Sequence, residues 1–336
     1  MTQVVKAPGG RRLSVESLGD PAGIPVFLMH GSPGSRNGPN PRGPVLYRLG
    51  VRLICYDRPG YPGSDRFPGR TVADAAGDVK AIAEYFGIDR FSVVGRSGGA
   101  PHALACAALL KDQVICAAAL GSLAPYDADE GLDWAAGMAE SNVRAYECAA
   151  ENSTALESTL DERAVHVRGD SESLLKELWP ELGRDDKNVM GDIALRRIIA
   201  ETHADALRES ANGWIDDVIA LSRPWGFDLS DIIAPVKLWH GSDDVFSPPS
   251  HTHWLAKRIG TADPQVEIQV EIGAAHFGAV EILPRILTWV VKQAKKESRS
   301  AAAAVAATAA AGNGSRPLSL AGAGPGRVSA EAGAAR

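Results

Sequence analysis

Short apolar runs separated by polar, turn-forming stretches set the rhythm of the first 120 residues and return near residue 236. Seven of them read as strands: 11–18, 24–29 ("IPVFLM"), 51–56 ("VRLICY"), 91–95 ("FSVVG"), 114–120 ("VICAAAL"), 236–240 ("VKLWH") and 266–271 ("VEIQVE"). Helical patterns lie between them at 71–86, 98–110, 249–259 and 280–295. The first opens with Thr71 and carries Asp74 three residues on, an approximate capping box. Strand alternating with helix predicts an α/β fold, a mostly parallel sheet covered on both faces.

Two stretches break the rhythm. Residues 125–225 contain no convincing strand, only helix-like segments, and the economical reading is a helical cap inserted between two strands of one sheet. The core is then 1–124 together with 226–297. From residue 298 the chain reads "SRSAAAAVAATAAAGNGSRPLSLAGAGPGRVSAEAGAAR", with almost no large side chain. Such a segment cannot offset its ordering entropy by burial, so 298–336 is expected to be a disordered tail, with at most a short alanine helix near 301–311.

Composition narrows the function. The chain has 336 residues, 45% of them hydrophobic, and a formal net charge of -6, which offers no basic stripe for a nucleic acid. No uninterrupted apolar run reaches membrane-spanning length, and the first residues lack the features of a secretory signal. Four cysteines are scattered, and Cys55, Cys106 and Cys116 fall in apolar runs, so a reduced, cytoplasmic protein is expected. The charge is unevenly spread. Residues 125–225 hold 22 acidic and 10 basic side chains, a net charge of -12 that leaves +6 for the remainder. Four of the seven tryptophans, Trp134, Trp179, Trp214 and Trp225, lie in the same stretch.

The chemistry begins at "VVGRSGG", residues 93–99. Gly95-Arg96-Ser97-Gly98-Gly99 fits G-x-S-x-G, with an apolar strand before it and a helix after it. A nucleophile at a sharp strand-to-helix turn needs tiny neighbours. The rival reading, a glycine-rich turn or degenerate dinucleotide loop, fits poorly, because a dinucleotide loop belongs after the first strand of its unit. A serine hydroxyl also needs a base, and the base needs an orienting acid. Asp243 and Asp244 follow the strand at 236–240, and His276 follows the strand at 266–271.

With these residues in place, the chain resembles the α/β-hydrolase family, specifically its capped members, over about residues 10–296. Four stretches carry the likeness: "HGSPGS" at 30–35, "DRPGYPGSD" at 57–65, "GRSGG" at 95–99, and "GSDD" through "GAAHF". The resemblance implies Ser97 as nucleophile, His276 as general base and then acid, and Asp244 as its orienter. Asp244 matches G-x-x-D-x-x-x-P from Gly241 to Pro248, and Asp243 is expected to face solvent. Backbone N–H groups of Ser32 and Gly98 would form the oxyanion hole. Asp57 and Arg58 are read as pairing or capping residues. His30, His102 and His240 are read as structural, and His251 and His253 do not have the spacing of a metal site on one helical face.

The resulting expectation is a serine hydrolase acting on a carboxylic ester or amide of a small to medium, partly apolar substrate. It needs no metal or organic cofactor, and its partner is a small molecule, with oligomeric state left open. "HGSPGS" partly resembles the "HGGPG" loop of proline iminopeptidase-like relatives, which makes an aminopeptidase the alternative. There the acidic cap would face a cationic substrate group, although solvated helix faces account for most of that charge. A non-catalytic ligand-binding protein on the same fold, carbon-carbon bond cleavage and cofactor-free haloperoxidase activity stay open as well.

Overall fold

The computed structural model describes residues 2–128, 131–151, 154–260 and 266–312. Its centre is an eight-stranded sheet built from β1 (Gln3–Lys6), β2 (Arg12–Gly19), β3 (Ile24–Met29), β4 (Val51–Tyr56), β5 (Phe91–Arg96), β6 (Val114–Leu120), β7 (Val236–Gly241) and β8 (Val266–Glu271). The spatial order is β1-β2-β4-β3-β5-β6-β7-β8. β1 pairs with β2, and β2 with β4, in antiparallel fashion; every later pairing is parallel.

Order reverses around β3, whose neighbours are β4 on one side and β5 on the other, in register from Val26↔Ser92 to Met29↔Gly95. At such a switch point the loops leaving the carboxyl ends of adjacent strands diverge and open a crevice. The loops after β3 and β5 are "HGSPGS" and "SGG". The fold therefore brings two of the sequence motifs to one place before any side chain is considered.

Both faces of the sheet are covered, and strand alternation assigns residues to them. Val93 and Phe27 pack on one face with helices α2 (Asp74–Tyr85) and α3 (Ala100–Leu109), which contribute Ile82 and Leu104. Val94 and Leu28 pack on the other with Ile286, Leu287 and Val290 of the last helix. A short helix α1 (Gly43–Leu49) adds Leu46 to that second layer.

Between β6 and β7 the described part of residues 125–225 contains no strand and six helices: α4 (Glu140–Ala150), α5 (Thr154–Gly169), α6 (Ser173–Leu178), α7 (Arg184–Gly191), α8 (Ile193–Ala206) and α9 (Asn212–Leu221). These belong to the same compact unit as the sheet, Met1–Lys295. α10 (Pro249–Arg258), α11 (Gly278–Glu281) and α12 (Leu283–Gly312) complete the chain.

Three differences from the sequence reading stand out. β1 was not anticipated, because only Val5 of its four residues is buried and so short a run carries no pattern. α1 buries a single side chain, Leu46, and escapes notice for the same reason. α12 continues through Gly312, so the first part of the expected tail is helical, and alanine's high helix propensity supplies the reason. The expectation for residues 313–336 lies outside the described residues. No helix among the described residues is long and apolar enough to cross a membrane.

Candidate functional site

β5 ends at Arg96, and Ser97 turns the chain into α3 with φ +50°, a left-handed conformation that no other non-glycine residue among those described adopts. The turn works only because its neighbours lack side chains. A Cβ on Gly95 would fall 2.6 Å from the Ala100 Cα and collide with the Gly99 carbonyl. One on Gly99 would sit 2.5 Å from the Met29 carbonyl oxygen. Strand, helix and the β3 loop therefore approach to backbone contact, and the Ser97 hydroxyl is pushed up at the edge of the sheet.

The structure brings Ser97, His276 and Asp244 together. His276 Nε2 lies 3.0 Å from Ser97 Oγ, and His276 Nδ1 lies 2.8 Å from Asp244 Oδ2. An ionised carboxylate only accepts, so Nδ1 carries the imidazole proton and Nε2 is left to accept from the serine hydroxyl. Asp244 is fully enclosed, yet its other oxygen accepts from the backbone N–H groups of Phe246 (2.8 Å) and Ser247 (3.0 Å). Burial would raise its pKa, but the adjacent His276 and hydrogen bonds from His240 and His276 outweigh that and hold it well below the usual carboxylate range. For His276 burial opposes the charged form, and the attraction of Asp244, with a smaller part from Asp186, raises its pKa above the ordinary imidazole value. Asp243 is exposed and accepts only from the Ser242 hydroxyl at 3.2 Å.

Ser32 and Gly98 face each other across the crevice. A Cβ built on Gly98 would lie 2.9 Å from the Ser32 Cβ and 3.4 Å from the Ser32 nitrogen. Above these residues a cavity of about 160 Å3 opens between the sheet edge and the inserted helices. By volume it has room for on the order of ten waters. Tyr146 of α4, Leu160 of α5, His203 of α8 and Trp214 of α9 form part of its wall, with Phe246 and His276 from the core loops. Residues of "GRSGG", "HGSPG" and the two later loops thus meet at one cavity.

A family model described as alpha/beta hydrolase fold matches residues 24–281, which is most of the chain. The chain belongs to the alpha/beta hydrolase fold family. Among curated proteins, epoxide hydrolase B of Mycobacterium tuberculosis is 31% identical over 114 residues, 33% of this chain and 32% of its own length. Proline iminopeptidase of Xanthomonas citri is 32% identical over 111 residues, 31% of this chain and 34% of its own length. The chain thus matches about a third of the length of these curated relatives. Among solved structures, a thermophilic esterase from Thermogutta terrifontis with malate bound superimposes with a TM-score of 0.60 at 20% identity, covering 88% of this chain and 98% of that one. At that identity the likeness concerns the fold.

Several buried charges of this alpha/beta hydrolase fold chain do not follow from the sequence pattern. Asp217, on α9, is fully enclosed. It accepts from Arg58 (Nε–Oδ1 3.1 Å, Nη2–Oδ2 2.5 Å), from Arg70 Nη2 (2.6 Å) and from the Tyr61 hydroxyl (2.7 Å). The Ser32 hydroxyl also donates to it. Arg58 in turn donates to the carbonyls of His30 (2.5 Å) and Gly31 (3.0 Å). One inserted helix thereby fixes the loop that holds Ser32. Burial would raise the Asp217 pKa, but Arg58 and Arg70 drive it well below the ordinary value. Arg58 is therefore a pairing residue, though with an aspartate of the inserted helices, while Asp57 pairs with Arg36. Most described acidic side chains of the insertion are exposed or half-buried, as expected, and Asp186, Asp216 and Asp217 are the buried exceptions. Asp216–Asp217 inside the apolar "WIDDVIAL" was the available signal.

Four other histidines, His30, His102, His240 and His251, have structural partners, whereas His203 Nδ1 is buried without one. His30 Nδ1 lies 2.8 Å from the Gly31 carbonyl, and His102 Nδ1 lies 2.8 Å from the Gly98 carbonyl. His251 accepts from the Ala124 N–H at 2.9 Å and approaches the Trp134 carbonyl at 2.9 Å. His240 does more than brace a strand end: it contacts the Ser247 carbonyl and lies 3.3 Å from Asp244 Oδ2, supporting the loop that presents that carboxylate. Of the aromatic side chains in the insertion, Trp214 and Tyr146 reach the cavity. Trp134 packs edge-on against Tyr126 and Tyr146, Trp225 stacks on Phe227, Trp179 is exposed, and Met190 belongs to a separate small core with Leu175 and Ile199.

Proposed function

We propose that this alpha/beta hydrolase cleaves a carboxylic ester of a small to medium, partly apolar acid through an acyl-serine intermediate. The single observation that carries the reading is the unbroken hydrogen-bonded line from Ser97 through His276 to Asp244 at the floor of the cavity.

In this reading His276 Nε2 takes the Ser97 proton as Oγ attacks the substrate carbonyl. Asp244 keeps the imidazole in the required tautomer and stabilises its cation. Negative charge that develops on the carbonyl oxygen is met by the N–H groups of Ser32 and Gly98, which assist only once that charge exists. The Asp217–Arg58 network holds Ser32 still while this happens. The imidazolium then gives its proton to the departing alcohol as the carbon–oxygen bond breaks. A water, deprotonated by the same imidazole, releases the acid and restores Ser97. The inserted helices limit water in the cavity during acylation.

An ester fits this wall better than the cationic amine of an aminopeptidase substrate. Among the described residues no aspartate or glutamate lines the cavity, whereas Arg96, Arg163, His203 and His276 do. A panel of p-nitrophenyl acyl esters of graded length, run beside proline β-naphthylamide, tests the choice. Turnover of esters with little or none of the amide supports the reading. Preferential release of proline overturns it in favour of the aminopeptidase, and stoichiometric binding without product in favour of a non-catalytic protein.

A further inference from the structure

Arg96 stands between Gly95 and Ser97 at the last position of β5, and strand alternation turns it toward the face shared by Val94, Cys55 and Ala279 rather than toward α3. It lines the cavity, as Ala279 does, and only 6% of its surface is exposed. Its guanidinium has no counter-charge: among the described residues no carboxylate pairs with it, and Nε is enclosed without an acceptor. Burial lowers its pKa to about 10, which leaves it protonated at neutral pH. The nearby Cys55 thiol cannot compensate, because burial pushes its pKa up to about 12.

His203 Nδ1 on the same wall is also enclosed without a partner, but burial lowers that imidazole's pKa to about 4, so it carries no charge at neutral pH. Arg163, the other arginine there, is paired with Glu177 at 2.7 Å, and Thr202, Asn142 and Ser247 each donate to a backbone carbonyl. An enclosed cation without a partner is costly, and a fold retains one where something else supplies the negative charge. A planar guanidinium suits a carboxylate, which it grips through two parallel hydrogen bonds.

We infer that Arg96 is the counter-charge for a carboxylate carried by the substrate, so that the cavity takes carboxylate-bearing esters such as half-esters of short dicarboxylic acids. The substrate class rests on the acyl-serine reading of Ser97; the anion site does not. Arg96 and Ser97 both line the cavity, so one substrate can engage both.

The test is calorimetric binding of monomethyl glutarate and of its neutral counterpart, dimethyl glutarate, to the full chain carrying Ser97→Ala, with and without Arg96→Met. The half-ester is expected to bind on the order of tenfold to a hundredfold more tightly than the diester, the range for a charge-assisted hydrogen bond. Arg96→Met is expected to abolish that preference, and Arg96→Lys to retain part of it if the methionine variant does not fold. Equal binding of the two esters by the Ser97→Ala protein overturns the inference without any Arg96 variant, as does a preference that survives Arg96→Met. Turnover by the unsubstituted chain is read separately. If the half-ester binds preferentially but neither ester is hydrolysed, the anion site stands and the acyl-serine reading falls.

Discussion

The carboxylate of Asp186, carried on α7, accepts a hydrogen bond from the Phe277 N–H at 2.8 Å, one residue beyond His276. Its second oxygen is buried without a partner, and burial lifts its pKa to about 6 against the opposing pull of His276. An inserted helix thus reaches the loop that carries the imidazole. Asp186 also contributes to the raised His276 pKa. Replacing it with Asn keeps the acceptor and removes the negative charge, so the His276 pKa falls. In the proposed mechanism the neutral imidazole is the base, so the acidic limb of the kcat/KM profile is expected to move to lower pH, and a pH–rate profile of Asp186→Asn checks the direction.

The unsubstituted protein has a matching signature. The raised His276 pKa means that protonated, inactive imidazole persists above the ordinary value, so kcat/KM should climb with pH through a midpoint higher than that of a free histidine. Asp244→Asn removes the attraction that raises this pKa and disturbs the tautomer. Turnover is expected to fall on the order of a thousandfold or more, with the midpoint displaced to lower pH. Steady-state rates from acid to neutral pH read both effects.

Asp217 offers a test of stability. Asp217→Asn leaves Arg58 and Arg70 buried without compensation, and removing one partner of such a pair costs about 3–5 kcal/mol. Urea denaturation should register that loss. Ester turnover of the folded fraction should fall too, because the charge that holds Arg58, and through it the Ser32 loop, is gone.

Ser97 carries backbone strain for the sake of its position. At φ +50° a serine is disfavoured and a glycine is not, so Ser97→Gly is expected to stabilise the fold by about 1 kcal/mol while abolishing turnover. A denaturation midpoint above that of the unsubstituted protein is the expected readout.

How much of this was legible beforehand follows from the range of the forces involved. β3 and β6 lie where continuous apolar runs said they would, at Ile24–Met29 and Val114–Leu120, because strands buried on both faces leave an unmistakable mark in the chain. Ser97, Asp244 and His276 were legible for a related reason: each lies within a few residues of a strand end, where glycine and proline punctuate the pattern. Asp217, Asp186 and Arg96 were not. Their meaning depends on partners far away in sequence, such as Arg58 for Asp217, or on the lack of any partner for Arg96, and no local pattern encodes either. Helical amphipathicity does not single out Asp217 from its acidic neighbours, because it says nothing about a charge buried against another segment's arginines. β1 and α1 were invisible because each buries a single hydrophobic side chain.

The most direct test of the account is covalent. Reaction with a fluorophosphonate probe followed by peptide mapping should place one label per chain on Ser97, and His276→Ala should suppress that labelling, since the hydroxyl is nucleophilic only while the imidazole accepts its proton. A label on another residue, or ester turnover undiminished in Ser97→Ala, contradicts the account.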